Sequence, residues 1–123
     1  FTYEMASSYK ELYETLICDI RNMLTNATGY DCSRVPFVCG LPKWNTNNSP
    51  EPPYQKTVRD AMKCAAKELI NVGYVDCMSL NQHDDWHFDA EGQRYLGEQF
   101  IACIKEYKTA QPCEYIAESN LGC

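Results

Sequence analysis

The chain predicts an α/β fold: parallel strands covered by helices on both faces. Three observations predict it. Amphipathic helical stretches alternate with short apolar runs in the order α-β-α-β-α. Those runs are apolar throughout, as strands buried on both faces are. A 123-residue chain with 45 % hydrophobic and 12 % aromatic residues is long and apolar enough to bury a core.

The elements follow in order. From residue 3 to about 24, Met5, Tyr9, Leu12, Leu16, Ile20, Met23 and Leu24 recur at the spacing of one helix face. Residues 26–33, with Gly29 and Asp31, read as the exit loop. Val35, Pro36, Phe37, Val38 and Cys39, closed by Gly40, form a buried strand. Residues 41–53 are rich in Asn and Pro and hold Trp44, the composition of an exposed loop. Val58, Ala61, Met62, Ala65, Ala66, Leu69 and Ile70 mark a second amphipathic helix, ended by Asn71 and Gly73. Residues 72–78 form the second strand. Asp89 is placed to cap a third helix whose face is Ala90, Leu96, Phe100, Cys103, Ile104 and Tyr107. Gly92 and Gly97 weaken that helix, so a close neighbour is expected against them. The α/β unit spans 1–107, and 108–123 is a tail anchored by Cys113 and Cys123. Two strands are few for a stand-alone doubly wound domain. The expected unit is therefore the back half of a larger fold, with Phe1 a processed or excised start.

Charge and cysteine usage narrow the setting. The formal charge is −6, which opposes a nucleic acid or an anionic membrane surface as partner. No apolar stretch is long enough to cross a bilayer. Eight cysteines (Cys18, Cys32, Cys39, Cys64, Cys77, Cys103, Cys113 and Cys123) lack the tight Cys-x-x-Cys pairs of a metal site. Disulfides in an oxidising compartment account for them, roughly four bridges if all pair internally, with one or two free to join another chain. Asn26-Ala27-Thr28 and Asn47-Asn48-Ser49 are glycan acceptor sequences. The expectation is a secreted, disulfide-rich chain.

The chemistry concentrates in the run from Gln82 to Arg94. Asp84 precedes His87 by three residues, just ahead of a helix start and beyond the second strand, where open α/β sheets place their sites. An acid at that spacing can fold back, accept from Nδ1–H and leave Nε2 facing outward as a base. The plain alternative is a solvated acidic loop with a surface histidine. His83 and His87 also make a loose His-Glu-x-x-His, but that metal motif needs a helix through 83–87, and Asp89 marks where the helix begins. Trp44 and Trp86 suit either stacking on a sugar ring or anchoring a loop. No cofactor and no metal is expected.

The block His87-Phe88-Asp89-Ala90-Glu91-Gly92-Gln93-Arg94-Tyr95-Leu96-Gly97 resembles the last signature block of SGNH (GDSL-type) hydrolases. It is most similar to carbohydrate O-acetylesterases of the sialate O-acetylesterase and acetylxylan esterase type. Pro36-Phe37-Val38-Cys39-Gly40 resembles the family's preceding strand, and Val72-Gly73-Tyr74-Val75-Asp76 the following one. The resemblance, running from about Tyr9 to Phe100, implies the C-terminal portion of a three-layer α/β/α flavodoxin-like (SGNH) fold. It implies Asp84 as triad acid and His87 as general base. The family's serine block and oxyanion donors precede the part covered here. Ser7 and Ser8 sit on a helix face, and Ser33, Ser49, Ser79 and Ser119 have no matching neighbours. The resemblance thus implies a nucleophile from an upstream segment or second chain, disulfide-linked or not, and O-acetylated carbohydrate as substrate. The rival is a non-catalytic secreted interaction module built from an esterase-derived segment.

Overall fold

The computed structural model describes residues 2–47 and 49–107. Along them run α1 (Tyr3–Ser7), α2 (Tyr9–Thr28), β1 (Phe37–Gly40), α3 (Gln55–Glu68), β2 (Val72–Val75) and α4 (Ala90–Tyr107). The first helix, expected to be continuous, breaks at Ser8, whose hydroxyl bonds back to the carbonyl of Glu4 (2.9 Å). The second piece runs past Leu24 to Thr28 and stops at Gly29, which takes the left-handed conformation (φ 73°) and returns its N–H to Thr25. Asn26 is exposed as a glycan acceptor requires, but lies on the last turn of α2 instead of in a loop.

β1 and β2 pair in parallel, Phe37 opposite Val72 and Gly40 opposite Val75, with α3 as the crossover. Both strands are shorter than expected. Asp76 ends β2 by turning its carboxylate onto the N–H of Met78 (2.9 Å). The side chains alternate between two cores. Phe37, Cys39 and Val72 pack with Ala6, Tyr13, Ile17, Val58, Met62 and Ala65. Val38 and Val75 pack on the opposite side with Cys77, Leu80, Phe88, Leu96, Phe100 and Cys103. Helices α1 to α3 thus cover one face of the sheet and α4 the other, an α/β layering around a small parallel sheet. Among the described residues each strand has one partner, so both outer edges are unpaired.

The buried stripe along α1 and α2 differs from the expected one. Met5, Leu12, Leu16 and Met23 are between 51 % and 69 % exposed, and Ala6, Tyr13, Ile17 and Arg21 face the core. The reason is polar. Arg21 donates from Nε and Nη2 to the carbonyl of Val35 (3.1 and 2.8 Å) and from Nη2 to that of Ile70 (2.8 Å). It thereby ties together the chain entering both strands. Tyr13 donates to Cys39 Sγ (2.8 Å). An apolar count places such residues outside; their satisfied polar ends let them in. Met5, Leu12 and Leu16 then line an open apolar groove of about 440 Å³ on the outer surface.

Two further expectations concern α4 and the cysteines. A Cβ on Gly92 would meet Phe88 Cβ at 3.1 Å and Asn81 O at 3.2 Å, so the expected close neighbour is there; at Gly97 nothing lies within 4 Å. No disulfide is formed among the six described cysteines. Cys39 and Cys77 belong to cores on opposite sides of the sheet, which keeps them from bridging each other. Cys113, Cys123 and the rest of the 108–123 tail lie outside the described residues.

Candidate active site

Beyond β2 the chain makes a turn, Leu80 N–H to Cys77 O (3.1 Å), and then doubles back on itself. Gln82 and Phe88 pair as an isolated antiparallel bridge, and His83 N–H bonds to His87 O (3.0 Å). Residues 83–87 are therefore a tight loop closed at its base. No helix runs through it, so the helical zinc-protease arrangement of His83 and His87 is absent. The helix begins after Asp89, as expected, with Asp89 Oδ1 accepting from Gly92 N–H (2.7 Å).

Asp84 organises this loop. Its Oδ1 accepts the backbone N–H of Trp86 (2.8 Å) and of His87 (2.7 Å), and its Oδ2 lies 2.8 Å from His87 Nδ1. The bond from His87, then those from the two backbone amides, hold the Asp84 carboxyl well below the usual carboxylate range. An ionised Asp84 can only accept, so Nδ1 carries the proton and Nε2 is left with its lone pair. Both residues thus meet in one short loop, an imidazole bonded to a carboxylate. His83 joins them: its Nδ1 is 3.4 Å from the same Oδ2, and its ring centre 5.8 Å from that of His87.

The loop after β1 braces the loop after β2. Asn45 Nδ2 donates to Asp84 O (3.3 Å), Gln82 Nε2 to Lys43 O (3.4 Å), and Lys43 Nζ bonds Leu80 O. Trp44 and Trp86 meet edge to face at 4.3 Å, with the Trp44 indole N–H held by Ser49 (3.0 Å to Oγ). The pair anchors the two loops to each other, the plainer of its two readings. Sequence reasoning singled out Trp44 and the run that Gln82 opens, but not Lys43 or Asn45, which sit in an aperiodic segment and meet the site only through the fold. The side chains of His87 and Asp84 are 67 % and 40 % exposed, and none of the described serine hydroxyls bonds to His87. The Asp84–His87 pair is open to solvent on its other side.

A protein-family model of carbohydrate esterases, the sialic acid-specific acetylesterases, matches residues 1–106. The chain belongs to that family. A search of curated proteins and a search of solved structures found no match. Membership makes this an esterase-derived module, in line with the resemblance of its residues 87–97, and the match extends through the described part of α4 to residue 106. No helix among the described residues is long and apolar enough to cross a membrane.

Proposed function

We propose that this chain contributes the acid and base of a Ser-His-Asp triad to a secreted carbohydrate O-acetylesterase. The nucleophile comes from an upstream segment or a second chain. The observation that carries the reading is the Asp84 carboxylate, fixed by two backbone amides and bonded to His87 Nδ1 at 2.8 Å in the loop beyond β2. His87 Nε2 removes the proton of the incoming serine as its oxygen attacks the acetyl carbonyl. The imidazolium, stabilised by Asp84, returns that proton to the departing sugar oxygen. Water then repeats the sequence on the acyl-enzyme, releasing acetate and restoring the serine.

The sheet edges, unpaired among the described residues, and the apolar groove of Met5, Leu12 and Leu16 support a further complement, since both are surfaces that a completed domain covers. Cysteine content and the two acceptor sequences support secretion and a disulfide link to that complement. The test is His87→Ala in the assembled protein, which abolishes acetyl ester hydrolysis; unchanged turnover refutes the assignment. One observation favours a second reading, a non-catalytic secreted module: no described serine reaches His87. A fluorophosphonate label separates the two. Labelling of a co-purifying chain supports the esterase, and its absence from every chain supports the module.

A further inference from the structure

We propose that His83, Asp84 and His87 form a binding site for a divalent first-row metal ion such as Zn²⁺, and that the ion switches off the base at His87. The three residues each offer one ligand atom, and these atoms lie within 4.8 Å of one another. Two of the three edges are already at ligand spacing: His87 Nδ1 to Asp84 Oδ2 is 2.8 Å, and His83 Nδ1 to the same oxygen is 3.4 Å. Metal–ligand bonds of roughly 2.0–2.1 Å in a tetrahedron set donor pairs about 3.3 Å apart. The remaining edge closes by turning the His83 ring, whose side chain is 62 % exposed and has room to move.

The backbone under these donors is fixed in advance. The Gln82–Phe88 bridge and the bond from His83 N–H to His87 O hold the two histidines at the mouth of one loop. Asp84 Oδ1 is occupied by two amides, which orients Oδ2 toward both rings. Such support for a ligand is what distinguishes a built site from a chance cluster. Two imidazoles and one carboxylate select zinc and its neighbours over magnesium or calcium, which prefer all-oxygen cages. The open side leaves a fourth position for water.

The inhibitory consequence rests on the esterase reading; the binding itself does not. The ion takes the Nδ1 lone pair of a neutral His87, and the ring proton moves from Nδ1 to Nε2. No proton is released overall. Nε2 is then an N–H donor and no longer a base, so the metal opposes the triad and supplies no hydrolytic chemistry of its own.

Calorimetric titration of Zn²⁺ into the full chain tests the site, together with His83→Ala and His87→Ala. One ion binds per chain, and each substitution weakens it by about tenfold or more. Co²⁺ in place of zinc shows visible bands of nitrogen and oxygen ligation without the near-ultraviolet absorption of thiolate ligands. Failure of the folded chain to bind, equal binding by both variants, or a thiolate signature overturns the site. In the assembled esterase, zinc inhibits turnover at the concentration set by its calorimetric affinity, and His83→Ala raises that concentration by about tenfold or more; inhibition at an unchanged zinc concentration in this variant overturns the switch. Zinc binding that responds to both substitutions in a preparation without any turnover supports the site and removes the esterase reading instead.

Discussion

Gly92 and Gly97 lie in the same helix, one turn and a little more apart, and alanine at each should move stability in opposite directions. In an unencumbered helix interior, Gly→Ala stabilises by about 1 kcal/mol, through backbone entropy and helix propensity. Gly97 meets that condition, with nothing within 4 Å of a new Cβ. Gly92 does not. Its Cβ would lie 3.1 Å from Phe88 Cβ, 3.2 Å from Asn81 O and 3.2 Å from Asp89 Oδ1. None of these atoms is free to retreat. Asn81 O accepts from Asp89 N–H (3.1 Å), Phe88 is held by the bridge to Gln82, and Asp89 Oδ1 is the cap itself. Overpacking costs about 1–3 kcal/mol, and a weakened cap about 1 kcal/mol more. Set against the gain of about 1 kcal/mol, Gly92→Ala destabilises by roughly 1–3 kcal/mol. Urea unfolding of the full chain and the two variants measures both numbers. Two shifts of the same sign, or no loss at Gly92→Ala, would refute the close packing of helix α4 against Asn81 and Phe88 at this glycine.

Three other outcomes follow from the same structure. Arg21→Met keeps the apolar stem but strands the carbonyls of Val35 and Ile70, and loses about 2–4 kcal/mol in urea unfolding; a loss below about 1 kcal/mol contradicts the tie between the strand entries. Asp84 titrates in the folded chain below its unfolded value near ~3.9, so its contribution is complete above that pH and is lost progressively as the pH falls from there to the lower folded value. Amide resonances of Trp86 and His87 should accordingly show no carboxylate titration near about pH 4, and a midpoint there would show that the Asp84 bonds are not made in solution. Replacing Leu12 and Leu16 together by Glu leaves the fold and the urea midpoint nearly unchanged, because both are more than half exposed. The same double variant loses its complementary chain in co-purification if that groove is the seat of assembly; undiminished association assigns the seat elsewhere.

What the sequence made legible is what depends on near neighbours. The acid–base pair is three residues apart and closes through its own turn, and Asp89 caps the helix that follows it. Parallel pairing followed from the order of elements and from strands without polar alternation. The errors lie where distant parts of the chain decide the outcome. Arg21 reads as a surface residue until Val35 and Ile70 supply acceptors, and with it the whole stripe of α2 rotates toward Tyr13 and Ile17. Asn45 and Lys43 brace the site from the loop after the neighbouring strand, with no periodic or spacing signal to announce them. Gly92 and Gly97 look alike in sequence, and only the approach of Asn81 and Phe88 separates them.

The short loop from His83 to His87 also sets an order of events during folding. Its closing contacts span only a few residues, so little chain entropy is lost in making them, and hairpins of this kind form within about 1–10 μs. The strand pairing of Phe37 with Val72 spans a far longer stretch and must await the crossover helix α3. On the proposed esterase reading, a serine supplied from elsewhere would be later still, at a rate that depends on meeting it. In that proposal Asp84 and His87 are placed before there is anything for them to activate, and the appearance of activity becomes a readout of encounter, not of the chemistry in the loop.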